Sequence, residues 1–261
     1  MATDRSGAAN GITPQRVILI TGANSGIGYD LTAALAASPG NHVIMGCRNY
    51  ERAARVLQQL HILGHAGTLS LLEVDITDDQ SISQAVEKLT ADFGVIDVLV
   101  NNAGIVMRNF PDRRSEILDT MNTNSVGHLV LTEALAPLLQ QSADPRIINV
   151  SSGLGSINGR LDPNDPTYGI NSDAYRMSKA ALNMATACMY ANYKVWGAKV
   201  WAYCPGYAIT NLTGEGDRGR REETGAVSSS VSAAGIVDIV DGKKDSHVGR
   251  FLQVGGRILP W

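Results

Sequence analysis

A glycine-rich turn at residues 21–28, Thr-Gly-Ala-Asn-Ser-Gly-Ile-Gly, strongly limits how this chain can fold. An apolar, β-branched run at 17–20 precedes it and an Ala- and Leu-rich segment at 29–37 follows it, which predicts the order strand, turn, helix. Glycine is needed where the backbone turns sharply or where a bound group approaches the main chain closely. The free N–H groups at the start of the helix predict an anion site. A tight connection without any ligand is the alternative.

The alternation of strand and helix continues along the chain. Further strands are predicted at 42–46, 69–74, 96–100, 146–150, 199–204 and 251–254. Helices are predicted at 50–63, from Asp78 or Asp79 to 93, at 115–141, at 172–193 and up to about 240. This alternation is typical of a parallel sheet covered by helices on both faces. We therefore predict an α/β fold, a single Rossmann-like, doubly wound, seven-stranded domain over 15–261, after a mobile polar tail at 1–14.

Composition and charge narrow the classes of partner. The 25 acidic residues exceed the 22 basic ones, so a nucleic acid or an anionic membrane is not an expected partner. No apolar run approaches the ~20 residues that cross a bilayer, and the first residues do not resemble a secretory signal. The three cysteines and five histidines show no metal-ligand spacing, so no metal is predicted. A cytoplasmic protein is expected.

Polar or turn-forming residues follow most of the predicted strands. They are Arg48, Asp75, Asn101, Ser152 and the pair Pro205-Gly206. In open parallel sheets the ligand lies at the carboxyl ends of the strands. Their shared location therefore predicts a binding cleft at this edge.

Tyr175 and Lys179 lie four residues apart on a predicted helix, so their side chains share one face. A nearby ammonium is expected to lower the phenol pKa from its usual value of about 10, which would suit proton transfer. Ser152, at the end of a strand, is placed to hydrogen-bond a carbonyl oxygen. The alternative is that Tyr175 and Lys179 are ordinary neighbours on a helix surface.

These positions occur in the order of a known family pattern: Thr21-Gly22-x-x-x-Gly26-x-Gly28, Asp75, Asn101-Asn102-Ala103-Gly104, Asn124, Ser152, Tyr175-x-x-x-Lys179 and Pro205-Gly206-x-x-x-Thr210. The chain resembles the short-chain dehydrogenase/reductase family over about 16–256. The stretches 150–157 and 175–184 are similar to its carbonyl-reductase and C-factor (sniffer)-like branch.

The resemblance implies a role for each matching residue. Tyr175 would be the general acid or base, Ser152 would polarise the carbonyl, Lys179 would also hold the nicotinamide ribose, and Asn124 would anchor a water. Asn101 and Gly104 would line the floor of the cofactor site. The full set of implied cofactor-binding residues is Gly22, Asn24, Ser25, Gly26, Ile27, Gly28, Arg48, Asp75, Ile76, Asn102, Ala103, Gly104, Tyr175, Lys179, Pro205, Gly206, Ile209 and Thr210.

The end of the second strand distinguishes the two nicotinamide cofactors. An acidic residue there would bind the ribose 2′-hydroxyl, whereas this chain has Cys47 followed by Arg48, whose guanidinium suits a 2′-phosphate. We therefore predict NADP(H). Ser25 stands where many NADP-using relatives carry a second basic residue. The alternative interpretation of Arg48 is that it is only a solvated surface charge.

The expected function is reduction of a ketone or aldehyde, or an imine, with Tyr175 as the proton donor. The alternative is a protein of the same fold with a non-redox role, as a regulatory binding module or a biosynthetic cyclase. Segments 153–171 and 207–225 are expected to be substrate loops. Either could instead be a plain solvated loop, and 212–225 could be a lid. The partner is a small carbonyl substrate, and a homodimer or tetramer is expected.

Overall fold

A seven-stranded parallel sheet forms the centre of the computed structural model, which describes residues 15–106 and 110–261; the tail predicted at 1–14 lies outside them. The strands are β1 (Arg16–Thr21), β2 (Asn41–Cys47), β3 (Thr68–Glu73), β4 (Val98–Asn101), β5 (Arg146–Val150), β6 (Lys199–Cys204), β7 (Ala208–Ile209), β8 (Val227–Ser228) and β9 (Phe251–Gln253). The sheet has the order β3-β2-β1-β4-β5-β6-β9, and β7 pairs with β8 separately. The predicted doubly wound sheet is confirmed, while its description as a single domain stays a prediction.

The helices are α1 (Gly26–Ala36), α2 (Tyr50–Ile62), α3 (Asp79–Asp92), α4 (Arg113–Met121), α5 (Gly127–Leu139), α6 (Ile157–Leu161), α7 (Asp173–Tyr193), α8 (Arg218–Glu223) and α9 (Ser229–Val240). None of these helices, within the described residues, has the length and apolar character needed to cross a membrane.

Both faces of the sheet are covered by apolar helices. Alternate residues of β1 face opposite sides, so Ile18 and Ile20 belong to one core cluster and Val17 and Leu19 to the other. The first cluster takes its helical residues from α1, α2 and α9, and the second from α3, α5 and α7. This arrangement explains the apolar strands in the sequence, since the inner strands β1, β4, β5 and β6 are buried on both sides.

The long helical region predicted at 115–141, with a bend or a cap near Pro137, is present from Arg113 to Leu139, and Pro137 lies two residues before its end. A π-helical turn, Asn122–Val126, separates α4 from α5. Gly127 follows this turn and packs so closely against Ile76 that a Cβ atom would overlap the Ile76 carbonyl oxygen. A single π turn within an α-helix has no sequence pattern of its own, so the helical residues on both sides of it predicted one continuous region.

The prediction that 153–171 is entirely loop is wrong. A 3₁₀ turn, Gly153–Gly155, leads into α6. The helix begins where the Ser156 hydroxyl accepts a hydrogen bond from Gly159 N at 3.0 Å. Segment 212–225 likewise contains a short 3₁₀ turn (Glu215–Asp217) and α8.

Candidate active site

The glycine turn lies at the end of β1, where the strand order reverses between β1 and β4. Gly22 and Gly26 have φ angles of 64° and 54°, which residues with a Cβ rarely adopt. Ser25 precedes α1, and its side chain makes no capping hydrogen bond. The backbone N–H groups at the start of α1 are therefore not used by a side-chain cap, as an anion site requires.

A polar clamp fixes the turn against the end of β4. Asn102 Nδ2 donates to Thr21 O at 2.8 Å and to Gly22 O at 3.2 Å. In return, Thr21 Oγ1 accepts from Asn102 N at 2.9 Å and from Ala103 N at 3.0 Å. These four bonds set the width of the crevice between the two strands.

A cavity of about 740 Å³ runs along this crevice, a size typical of small-molecule sites. Most of the predicted cofactor-binding residues line it: Gly22, Asn24, Ser25, Gly26, Ile27, Arg48, Asp75, Ile76, Asn102, Ala103, Gly104, Tyr175, Lys179, Pro205 and Thr210. Gly28, Gly206 and Ile209 do not. A Cβ atom at Gly28 would lie 2.7 Å from Asn102 Nδ2, so this glycine permits close packing behind the turn.

Asn101 corrects another expectation. It was predicted to line the cofactor floor, but it is fully buried in the sheet. Its Nδ2 donates to Thr132 Oγ1 at 2.9 Å and to Asn149 Oδ1 at 2.8 Å. Successive residues at the end of a strand point to different sides, and the next residue, Asn102, reaches the cleft instead.

Two arginines lie at one end of the cleft. The Arg48 side chain is 71% exposed, and its Nε is 3.9 Å from Asp75 Oδ2. Asp75 Oδ1 accepts hydrogen bonds from Thr77 N at 2.9 Å and Thr77 Oγ1 at 2.7 Å. Arg52, on the first turn of α2, also lines the cavity, and the sequence analysis missed it. Arg52 is four positions after Arg48 in the sequence, and this spacing could have indicated that both arginines lie at the same end of the cleft.

Tyr175 and Lys179 lie at the other end, on α7. Lys179 Nζ is 5.8 Å from the centre of the Tyr175 ring and donates to Val150 O at 2.8 Å. Burial lowers the pKa of Lys179 to about 8. Burial also raises the pKa of Tyr175 to about 12, partly countered by a hydrogen bond with the Ser152 side chain. The sequence predicted a phenol pKa below its usual value, and this net direction is wrong, because desolvation has the larger effect.

The two adjacent serines have different environments. Ser151 is buried, and its hydroxyl donates to Asn183 Oδ1 at 2.6 Å. Ser152 is partly exposed, and its Oγ accepts a hydrogen bond from Leu154 N at 3.2 Å. Ser152 is therefore the hydroxyl available next to Tyr175.

Asn124 lies in the π-helical turn and is fully buried. Its Nδ2 donates to Ile105 O at 2.9 Å and to Ser178 Oγ at 3.1 Å, while its Oδ1 accepts from Ile105 N at 2.8 Å. Asn124 and Ser152 do not line the 740 Å³ cavity. Asn124 instead connects the backbone beside Gly104 to the helix that carries Tyr175.

Comparison with known proteins agrees with this geometry. The family model described as short chain dehydrogenase matches residues 16–221. The chain is 34% identical to the short-chain dehydrogenase/reductase eupG of Phoma sp. over 262 residues, which cover 91% of this chain and 94% of the relative. It is 29% identical to tropE of Talaromyces stipitatus, covering 96% and 99%.

Two solved structures are also similar. The NADPH-bound carbonyl reductase from chicken fatty liver has a TM-score of 0.80 at 27% identity, covering 95% of this chain and all of the other. The carbonyl reductase Sniffer of Drosophila melanogaster has a TM-score of 0.80 at 29% identity, with the same coverage. The matched family consists of oxidoreductases that use a nicotinamide cofactor. From its sheet, its cleft and these relatives, the chain belongs to the short-chain dehydrogenase/reductase family.

Proposed function

We propose that this protein is an NADP(H)-dependent reductase that converts a ketone or aldehyde, or an imine, to the reduced product. One observation carries the proposal. Tyr175 and Lys179 line one end of a cleft whose other end holds Arg48 and Arg52, and the Tyr175 hydroxyl is hydrogen-bonded to the Ser152 side chain. A carbonyl compound bound beside Ser152 and Tyr175 would meet a proton donor and a polarising hydroxyl at the same edge of the sheet.

The residues of the cleft suit a dinucleotide. The turn at Gly22 and Gly26, with uncapped N–H groups behind it, would hold the pyrophosphate. Asp75 and Ile76 would lie beside the adenine, and Pro205 and Thr210 beside the nicotinamide end. When bound, the cofactor supplies the hydride, so the protein is left to orient the substrate and to provide the proton.

The proton would come from Tyr175. A pKa of about 12 keeps this phenol protonated at neutral pH, which is the form needed to protonate the oxygen as the carbonyl is reduced. The Ser152 hydroxyl would donate a hydrogen bond to the same oxygen and stabilise the developing charge. Lys179 places an ammonium close to the phenol, where it favours the phenolate left after proton transfer.

Arg48 and Arg52 support NADP(H) over NAD(H). Both border the cleft at the end of β2, and the Arg48 side chain is mostly exposed. A guanidinium forms forked hydrogen bonds with phosphate oxygens, so a cofactor with a 2′-phosphate would gain contacts that NAD(H) lacks.

Arg48→Ala tests this preference. We expect the variant to weaken NADPH binding by about 1.5–3 kcal/mol and to affect NADH much less, because a charged hydrogen bond is lost. Isothermal titration of both cofactors measures the difference. Arg55→Ala is the matched control, since Arg55 is an exposed arginine of α2 outside the cleft lining. Equal weakening of NADPH binding and NADH binding would show that Arg48 does not bind the 2′-phosphate.

Turnover is tested by following NADPH absorbance with acetophenone, ethyl acetoacetate, benzaldehyde and a cyclic imine. Oxidation of NADPH with one of these substrates supports the reductase. Tight NADPH binding with no turnover of any of them would favour the non-redox role, as a binding module or a cyclase.

We also propose that the protein is a cytoplasmic homo-oligomer, most simply a homodimer. Met177 and Met184 on α7 are 48% and 66% exposed, and Leu118 on α4 is 58% exposed. Exposed apolar side chains on neighbouring helices mark a surface suited to self-association. Light scattering on the purified protein would give the oligomeric state directly.

A further inference from the structure

Arg176 follows Tyr175 on α7, and its guanidinium is directed at the backbone of the neighbouring segment 153–170. The residue is only 7% exposed. Its Nε donates to Ile170 O at 3.0 Å, its Nη1 to Leu154 O at 3.2 Å, and its Nη2 to Thr167 O. One side chain therefore binds three carbonyls at both ends of the segment.

Among the described side chains, no carboxylate lies within ion-pair distance of Arg176. Asp165 and Asp173 act on it only at longer range, and Arg160 is the nearby cation. A buried charge is costly unless it is hydrogen-bonded, and here each of the three guanidinium nitrogens donates to a carbonyl. The planar fork of the guanidinium, rather than a salt bridge, is what this position uses.

The same segment is attached to α7 at a second place. Gly155 packs against the backbone of Lys179, where a Cβ atom would lie 2.6 Å from the Lys179 carbonyl carbon. Asn183 Nδ2 donates to Gly155 O at 3.3 Å. The segment directly follows Ser152 and is held at both places by the helix that carries Tyr175, so its position is coupled to the reacting groups.

The segment also presents apolar side chains to its surroundings. Ile157 and Leu161 of α6 are 65% and 76% exposed, and Tyr168 and Ile170 are 43% and 45% exposed. The segment directly follows Ser152, so exposed apolar groups on it are suited to contact the carbon substituents of a carbonyl compound.

We propose that Arg176 is a positioning residue that sets substrate selectivity, by holding segment 153–170 as a preformed wall next to Ser152 and Tyr175. This inference rests on the proposed reductase function. In the proposed reduction the hydride would reach the carbonyl carbon from the side of the cleft. The wall then determines which substituent of a prochiral ketone lies against it, and so determines the configuration of the alcohol. A displaced wall admits both orientations of the substrate.

Arg176→Met and Arg176→Lys test this role, with Arg160→Met as the matched control. Arg160 bonds Tyr168 O within the segment and does not connect it to α7. For acetophenone, or the best prochiral ketone of the panel, we expect Arg176→Met to raise KM about tenfold while kcat changes about twofold at most. The enantiomeric excess of the alcohol should fall. Arg176→Lys should not restore it, since an ammonium lacks the fork. The control should keep both values.

Hydrogen–deuterium exchange separates this inference from the proposed function, because it needs no turnover. In Arg176→Met, the backbone amides of 153–170 should exchange faster and those of 21–28 should exchange at the native rate. The affinity for NADPH should be retained. If the native protein reduces no substrate, the reductase proposal fails. The exchange result then still tests whether Arg176 holds segment 153–170 in place. Unchanged KM, enantiomeric excess and exchange would overturn the role of Arg176. A variant that loses NADPH binding and becomes less protected throughout would overturn it too, because the residue would then support the whole fold.

Discussion

At the scale of single residues, burial determines the chemistry available at the site. It raises the pKa of Tyr175 to about 12 and lowers that of Lys179 to about 8. The sequence predicted that these residues share a helix face, and they do. It did not predict the size of desolvation, because burial of a phenol depends on how distant segments pack around it. The family pattern already pointed to Ser152 rather than Ser151, and the packing adds a physical reason, since the Ser151 hydroxyl is already bonded to Asn183.

The pKa of Lys179 predicts a pH dependence. We expect kcat/KM for ketone reduction to be level below about pH 8 and to fall above it, as the ammonium loses its proton and no longer favours the phenolate. A pH–rate profile measures this decline. In Lys179→Arg the charge persists to a pKa above about 12, so the decline should disappear from the accessible range. A decline that stays at the same pH in that variant would assign it to another group.

At the scale of elements, the strands were predicted better than the breaks between helices. β5 and β6 have the predicted bounds because both are mostly apolar and buried on two sides. The π-helical turn around Asn124 was not predicted, because its mostly polar residues do not distinguish a π turn from an α turn. α6 escaped because five residues are too few to show a period. Asn101 is buried in the sheet and the next residue, Asn102, lines the cleft, so an error of one residue at the end of a strand changes which side chain is assigned to the site.

The clamp between β1 and β4 gives the prediction at this scale. Asn102→Ala removes two hydrogen bonds to the glycine turn, and Thr21→Val removes the two that return. Each change should lower the free energy of unfolding by about 1–3 kcal/mol and weaken NADPH binding. Because both act on one clamp, the double variant should lose less than the sum of the two single losses. Chemical denaturation measures the cycle, and strict additivity would show that the bonds act independently.

At the scale of the whole molecule, the two ends of the sheet have different tasks. The carboxyl ends carry the cleft. At the amino ends of β5 and β6, Arg146 and Lys199 bind the carboxylates of Asp144 and Asp245 at 2.5–2.7 Å. Arg146 also donates to Ile239 O at 2.9 Å, which connects the sheet to α9. The sequence shows these charged residues but does not predict that they form ion pairs, because they are up to 99 positions apart.

This cluster predicts how stability depends on pH. The hydrogen bond from Arg146 holds the pKa of Asp245 below its ordinary value. A depressed carboxyl pKa stabilises the fold above the unfolded-state value of about 4, and this contribution is lost as the pH falls further. Asp245→Asn should therefore lower Tm near about pH 7 and have less effect near about pH 3. Asp241→Asn, at a more exposed pair with Arg16, is the control with a smaller effect. Equal losses of Tm at both pH values would contradict this account.

The central claim is that the Tyr175 phenol provides the proton for reduction at the cleft edge. Tyr175→Phe removes that hydroxyl and keeps the ring, so its effect on the chemical step can be separated from its effect on binding. In single-turnover experiments with bound NADPH and saturating ketone, we expect hydride transfer to slow by at least about 100-fold with the Kd for NADPH nearly unchanged. Hydride transfer at close to the native rate in Tyr175→Phe would contradict the account.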